Sequence, residues 1–268
     1  MKLNKMKTKP ISVSLAIIAL AAILVMPGGL IEAIILNGTD GDDILVGTNG
    51  QDEIQGLEGN DDISGLGEND ILGGDEGDDH IVGGDGNDFI DGAGDNDYLI
   101  GDGGDDTIKS GKGINQAFGG PGNDNVAGNI DKDDVYGGDG DDSLNGNKND
   151  DYLVGGEGND EFHGGANDDE LDGGSGDDDM KGGNGNDFLF GDDGNDILAG
   201  GGGDDILIGG EGADDINGDQ GFNLCVTDGD DTSVKKCNET FSSVQELRDF
   251  CDISAETVCD LLDKIIFN

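Results

Sequence analysis

From Gly38 to Val226 the sequence repeats every nine residues, 21 times in succession, with no insertion or deletion. The copy GGDGNDFID, Gly83 to Asp91, shows the recurring positions most clearly. Position 1 is Gly in 20 copies, Ser110 being the exception, and position 4 is Gly in 16, replaced by Glu68, Asp95, Asp131, Asn149 and Asn167. Position 6 is Asp in 19 copies and Asn in two, Asn115 and Asn223, while position 8 is apolar in all 21, from Leu45 to Cys225. Positions 7 to 9 form a short strand, in which side chains alternate, so position 8 points one way and positions 7 and 9 the other. With one inward residue per copy, the enclosed architecture open to this chain is a coil whose turns stack and pool those residues into a thin core.

Composition alone points elsewhere. The 268 residues include 54 Gly and 62 Asp or Glu against 13 Lys or Arg, no Trp, and a net charge of -49. Such acidity with few aromatics normally marks a chain that stays disordered. A low-complexity acidic tract, however, would not hold four positions in phase over 189 residues. The charge excludes nucleic acid and anionic membranes as partners, because both require Lys and Arg to neutralise phosphate. The natural counter-ion is a cation. Glycines at positions 1 and 4 permit tight turns that aim carbonyl oxygens at one point, and the position 6 carboxylate adds an anionic oxygen; together these make a site for a hard cation.

The pattern GGxGxDxUx, with U a large apolar residue, resembles the RTX, or haemolysin-type, calcium-binding repeats. That resemblance implies an all-β, right-handed parallel β-roll with two nonapeptides per turn. It also implies many Ca²⁺ ions held between GGxGxD turns of copies n and n+2, by backbone carbonyls and the position 6 carboxylates. The implied ligands are Asp43, Asp52, Asp61, Asp70, Asp79, Asp88, Asp97, Asp106, Asp124, Asp133, Asp142, Asp151, Asp160, Asp169, Asp178, Asp187, Asp196, Asp205 and Asp214. The chain departs from the pattern in the ninth copy, with Asn115 at position 6 and Ala117 at position 8, and in the last copy, Gly218 to Val226. An EF-hand reading fails, since that loop has about 12 residues between two helices and nothing helical brackets these copies. The repeats hold 5 Lys against 51 acidic residues, and one inward side chain per nine cannot offset the ordering entropy. Metal binding and folding are therefore expected to be one event.

Residues 1–33 read as a secretory signal peptide: Lys2, Lys5, Lys7 and Lys9 precede an apolar run from Ile11 to Met26, with cleavage expected after Ala33 and Gly29 as a competing end. The run is short for a transmembrane anchor, the alternative reading, since it spans roughly 24 Å against a hydrocarbon core of roughly 30 Å. Residues 34–226 form the roll. Residues 227–268 are expected to be a helical, disulfide-linked cap, with a capping box at Ser243 to Glu246 opening a helix to about Phe250 and a second helix from Ser254. Of the three pairings open to four cysteines, Cys225 with Cys237 and Cys251 with Cys259 is preferred, and a zinc site is disfavoured because no His lies near them.

No nucleophile elbow, HExxH helix, phosphate loop or Cys/His pairing is present, and His80 and His163 fall on outward strand positions of different copies. The chain is not expected to be an enzyme. Ice binding would require a rank of Thr on the turns, whereas position 3 begins Asp40, Asn49, Glu58, Gly67, Glu76. Two readings follow: a secreted calcium-binding structural or adhesive protein, or a non-catalytic accessory or carrier module for a separate secreted enzyme or surface-layer protein. Two copies per turn place odd copies in one sheet and even copies in the other. Position 9 of the odd copies is mostly apolar, including Ile100, Phe118, Tyr136 and Phe190, and position 7 adds Tyr98, Tyr152 and Phe188. This outward stripe, close to 50 Å long at roughly 4.8 Å per coil, is expected to bind a partner or a second copy.

Overall fold

The computed structural model describes residues 18–20, 33–228, 230–243 and 246. The 25 elements among the described residues are all strands. They alternate between two parallel sheets of 13 and 12 strands, each strand pairing with the second one before and after it in the chain. Within the repeats the register is two nonapeptides, as in Leu72 opposite Ile90 and Ile90 opposite Ile108. Two copies therefore make one turn, and about eleven turns stack into a parallel β-roll. Odd copies supply one sheet and even copies the other, as their parity predicts.

The position 8 side chains form the core. All 21, Leu45 through Cys225, are fully buried, with Leu36 and Cys237 packed against the ends of the file. Most strands run longer than the predicted triplet, continuing through position 3 of the next copy, as Glu53–Glu58 and His80–Asp85 do. Every extended strand has a positive φ at position 2, a necessary but not sufficient condition, since Gly111 and Asp219 share it after three-residue strands. At Gly84 this φ is 118°, and a Cβ there would overlap the Leu66 carbonyl of the coil below. Glycine meets both demands without strain.

The roll extends past the repeats. Ser233–Lys235 pairs with Asp215–Asn217, and Glu239–Phe241 pairs with Leu224–Val226. The chain after Val226 thus continues the roll as strand as far as Phe241, ahead of the expected helices, because an edge strand with unpaired backbone groups is best satisfied by another strand. Half of the capping box forms: the Glu246 N–H donates to Ser243 Oγ at 3.2 Å, while the Glu246 carboxylate accepts the N–H of Ser242, one residue before the expected cap, at 2.9 Å. Of the two expected helices, to Phe250 and from Ser254, Glu246 is described and is helical; the residues from 247 onward lie outside the described residues. The expected Cys225–Cys237 disulfide is present, with a Cα separation of 5.9 Å, and ties the last core residue to the added turn. Cys251 and Cys259 lie outside the described residues.

At the other end, Ile35–Asn37 adds a strand beside Glu53–Glu58 on the even sheet, and Ile18–Leu20 pairs with Ile44–Val46 on the odd sheet. Among the described residues no helix is long and apolar enough to cross a membrane.

Candidate metal centre

The position 6 carboxylates line both edges of the roll, each between the turn of its own copy and its strand. Every one of the 19 is buried, at 0 to 4% exposure. One oxygen of each is accounted for by the fold. From Asp61 onward, Oδ1 accepts the backbone N–H of the position 6 residue one coil earlier, as in Asp70 N–H to Asp88 Oδ1 at 2.8 Å and Asp160 N–H to Asp178 Oδ1 at 2.8 Å. This side-chain ladder starts with the Ile34 N–H on Asp52 Oδ1 at 2.7 Å and passes through both asparagines, which accept from Asp97 and Asp205 at 2.8 Å.

The second oxygen divides the set. In 16 copies, all but those of Asp43, Asp52 and Asp133, Oδ2 is buried and has no hydrogen-bond partner. A buried carboxylate oxygen without a donor costs on the order of several kcal/mol, so one orphan is unusual and a rank of them calls for a common ligand. These oxygens face a shared cradle. A Cβ at Gly83 would overlap Asp88 Oδ2 and lie against the carbonyl oxygen of Gly101, and the same holds at Gly101 with Asp106 and Gly119. Position 1 glycine therefore keeps open the space where a carboxylate oxygen of one copy and a backbone carbonyl of copy n+2 approach each other. Hard oxygen donors, one of them anionic, fit Ca²⁺.

Among the described residues no three His, Cys, Asp or Glu side chains converge as a metal cluster. An ion here would be held by few side chains and several backbone carbonyls, which is why the glycines are part of the site.

Burial raises the carboxyl pKa values of the position 6 aspartates from Asp61 to Asp214. Desolvation comes first, opposed by the accepted backbone N–H and reinforced by the like charge of neighbouring aspartates. Asp70, Asp106, Asp142 and Asp178 rise to about 7. Asp97, Asp151 and Asp187 rise to about 8. Placing many ionised carboxylates along one edge without a cation is thus unfavourable, and a divalent ion removes the penalty.

The repeat pattern alone misses one member of this row. Asp231 lies beyond the last copy, yet its Oδ1 accepts the Asp214 N–H at 3.4 Å and its Oδ2 is buried without a partner. The signal is the run Asp228-Gly-Asp-Asp231, an xGxD sequence one residue short of the repeat spacing, ahead of Ser233-Val234, which keep the two-nonapeptide register.

Outside the turns, the two sheet faces differ as their sequences do. The odd face carries a file of rings on successive coils, with centroids 5.5 Å apart for His80 and Tyr98, 5.2 Å for Tyr98 and Phe118, 4.7 Å for Phe118 and Tyr136, and 6.0 Å for Tyr136 and Tyr152. His80 and His163 both face outward, His80 against Asp62 at 3.0 Å and His163 near Glu161 at 3.9 Å. The exposed part of the stripe is shorter than the parity pattern suggests: Tyr98 is 39% exposed, but Phe188 is 7%, Ile206 0% and Ile208 5%. Ile34 to Leu36 does not cover the stripe, since Ile35–Asn37 belongs to the even sheet.

Comparison with curated proteins gives no match. The family model described as the RTX calcium-binding nonapeptide repeat (4 copies) matches in overlapping segments, from residues 37–72 to 190–225. The matched segments fall on the same turns whose glycines hold the cradles open and whose aspartates leave their oxygens unpaired, and together they cover well over half of the chain: this protein belongs to the family of RTX calcium-binding repeat proteins.

Proposed function

We propose that this chain is a secreted structural or adhesive protein whose roll assembles as its turns take up many Ca²⁺ ions. The 16 buried, partnerless Oδ2 atoms carry this reading, because they make the ion part of the fold rather than an addition to it. The ligands are the position 6 aspartates whose Oδ2 has no protein donor, with the carbonyls of the surrounding turns. A bound ion would be held by oxygens of neighbouring turns and would supply positive charge against the buried carboxylates. Circular dichroism of calcium-loaded and calcium-free protein tests the coupling.

The leader at residues 1–33 and an oxidised tail belong to the same reading. Peptide mapping of unreduced protein recovered from the culture medium is expected to find an N-terminus at Ile34 and the linkages Cys225–Cys237 and Cys251–Cys259. Free thiols at Cys251 and Cys259, or an N-terminus still carrying the leader, would remove the support for export.

Self-association through the odd face supplies the adhesive part. Calcium loading offsets most of the acidic charge, so two rolls can approach. The ring file from Tyr98 to Tyr152 then offers a continuous surface of half-buried and exposed aromatics. Replacing Tyr98, Phe118 and Tyr136 together by Ser is expected to leave calcium-dependent folding in place and convert a loaded dimer to monomer in sedimentation analysis. Phe188 and Phe190, named with this surface by parity, are poorer probes, since Phe188 is buried and its loss would also cost packing. A wild-type roll that is monomeric at all loaded concentrations would shift the stripe to the second reading, a carrier for a separate secreted enzyme or surface-layer protein.

A further inference from the structure

Five copies of the 21 depart from the rest in how they treat the cradle, and two of them are neighbours on one edge. In copies 1, 2 and 11 the position 6 carboxylate is satisfied by the protein: Asp43 Oδ2 accepts the Thr39 N–H at 2.6 Å, Asp52 Oδ2 the Thr48 N–H at 2.5 Å, and Asp133 Oδ2 the Asn129 N–H at 2.9 Å. These are the copies whose position 2 residue, Thr39, Thr48 or Asn129, does not take the positive φ found at position 2 elsewhere. Without that conformation the turn swings its N–H onto the carboxylate. In copies 9 and 21 an Asn amide group does the corresponding work: Asn115 Nδ2 donates to Asp133 Oδ1 at 2.9 Å and to the Gly113 carbonyl at 3.1 Å, and Asn223 Nδ2 donates to the Gly218 carbonyl at 2.5 Å.

Strand length marks the same copies. The strand leading into each of them is only three residues long: Ile35–Asn37, Ile44–Val46, Thr107–Lys109, Asn125–Ala127 and Asp215–Asn217. Copies 1, 2 and 21 lie at the ends of the array. Copies 9 and 11 are adjacent coils in the middle of the odd edge.

We infer that copies 9 and 11 form a joint on the odd edge closed by the protein's own donors instead of by calcium, so that the ions of that edge lie in two separate rows. Three observations converge there. Asp133 is saturated: besides the Asn129 N–H it accepts the Asn115 backbone N–H at 3.0 Å and the Asn115 side-chain amide. Ser110, the one position 1 residue that is not Gly, places a Cβ at the point that glycine otherwise leaves free, and is fully buried with its own Oγ unpartnered. Of the five lysines in the repeats, Lys112, Lys132 and Lys148 sit on the odd-edge turns of copies 9, 11 and 13, exposed and on consecutive coils. Their charge stands in for that of the missing ions. The Phe118 and Tyr136 rings, 4.7 Å apart and 3° from parallel, clamp the same two coils on the sheet face.

The inference rests on the calcium reading of the other turns, and its test separates the two. Calcium bound per chain is measured by equilibrium dialysis on the full protein, for wild type, for Ser110→Gly with Asn115→Asp, and for Asp133→Asn and Asp88→Asn singly. The double variant is expected to bind at least one ion more than wild type, Asp133→Asn the same number, and Asp88→Asn fewer. Loss of calcium with Asp133→Asn would overturn the joint while leaving the general reading intact. Wild type that binds no calcium would overturn both. Should the double variant fail to fold, calcium anomalous scattering from wild-type crystals decides the matter: peaks along the odd edge interrupted at copies 9 and 11 support the joint, and an unbroken row refutes it.

Discussion

Dialysed free of calcium at neutral pH, the protein is expected to lose its β circular dichroism and behave as an expanded chain, and to regain the roll on addition of millimolar Ca²⁺. The size of the effect follows from linkage. A single site held at one hundred times its dissociation constant adds about 2.7 kcal/mol. The 16 unpartnered oxygens mark enough sites to exceed the roughly 5 to 15 kcal/mol by which ordinary domains are stable. The hydrophobic file cannot compensate, since each coil contributes only two inward side chains. Magnesium is expected to substitute poorly, because it holds its waters and demands near-octahedral geometry that a flexible ring of carbonyls does not impose. A β spectrum unchanged in calcium-free buffer would refute the coupling of metal and fold.

Acid should partly replace the metal, which is the opposite of ordinary acid denaturation. In the ion-free roll, burial lifts Asp79 and Asp196 to about 6, Asp169 and Asp205 to about 7, and Asp151 and Asp187 to about 8. In the unfolded chain the same groups titrate at about 3.9. The folded form therefore binds more protons than the unfolded form between these limits. Its stability is greatest below about pH 4 and declines as pH rises through 6 to 8. Calcium-free protein moved from pH 7.5 to pH 5 is expected to gain β signal, and to lose it again on return. In calcium-loaded protein the sign reverses, because protons and metal compete for the same oxygens. Calcium-free protein that is equally unfolded at both pH values would show that carboxylate burial is not what opposes folding.

The repeat determined much of this protein by itself. A period of nine with one apolar residue per copy leaves no way to build a core except by stacking coils, and the fully buried file from Leu45 to Cys225 follows from that constraint. The division of the copies between two sheets, the outward placement of His80 and His163, and the aspartates as the buried acidic row were legible for the same reason, as was the Cys225–Cys237 linkage. What the residues could not show is which atoms are left without partners. Asp88 and Asp133 occupy the same repeat position, but only the fold shows that Asn129 and Asn115 turn their N–H groups onto Asp133, while Asp88 keeps one oxygen free. The strands beyond Val226 and the inclusion of Asp231 were also decided in three dimensions, where the exposed edge at Asp215–Asn217 and Leu224–Val226 recruits whatever backbone follows, even out of register. Periodicity fixes which residues share an environment; hydrogen bonding between coils, which depends on the backbone conformation of each turn, fixes what that environment can still bind.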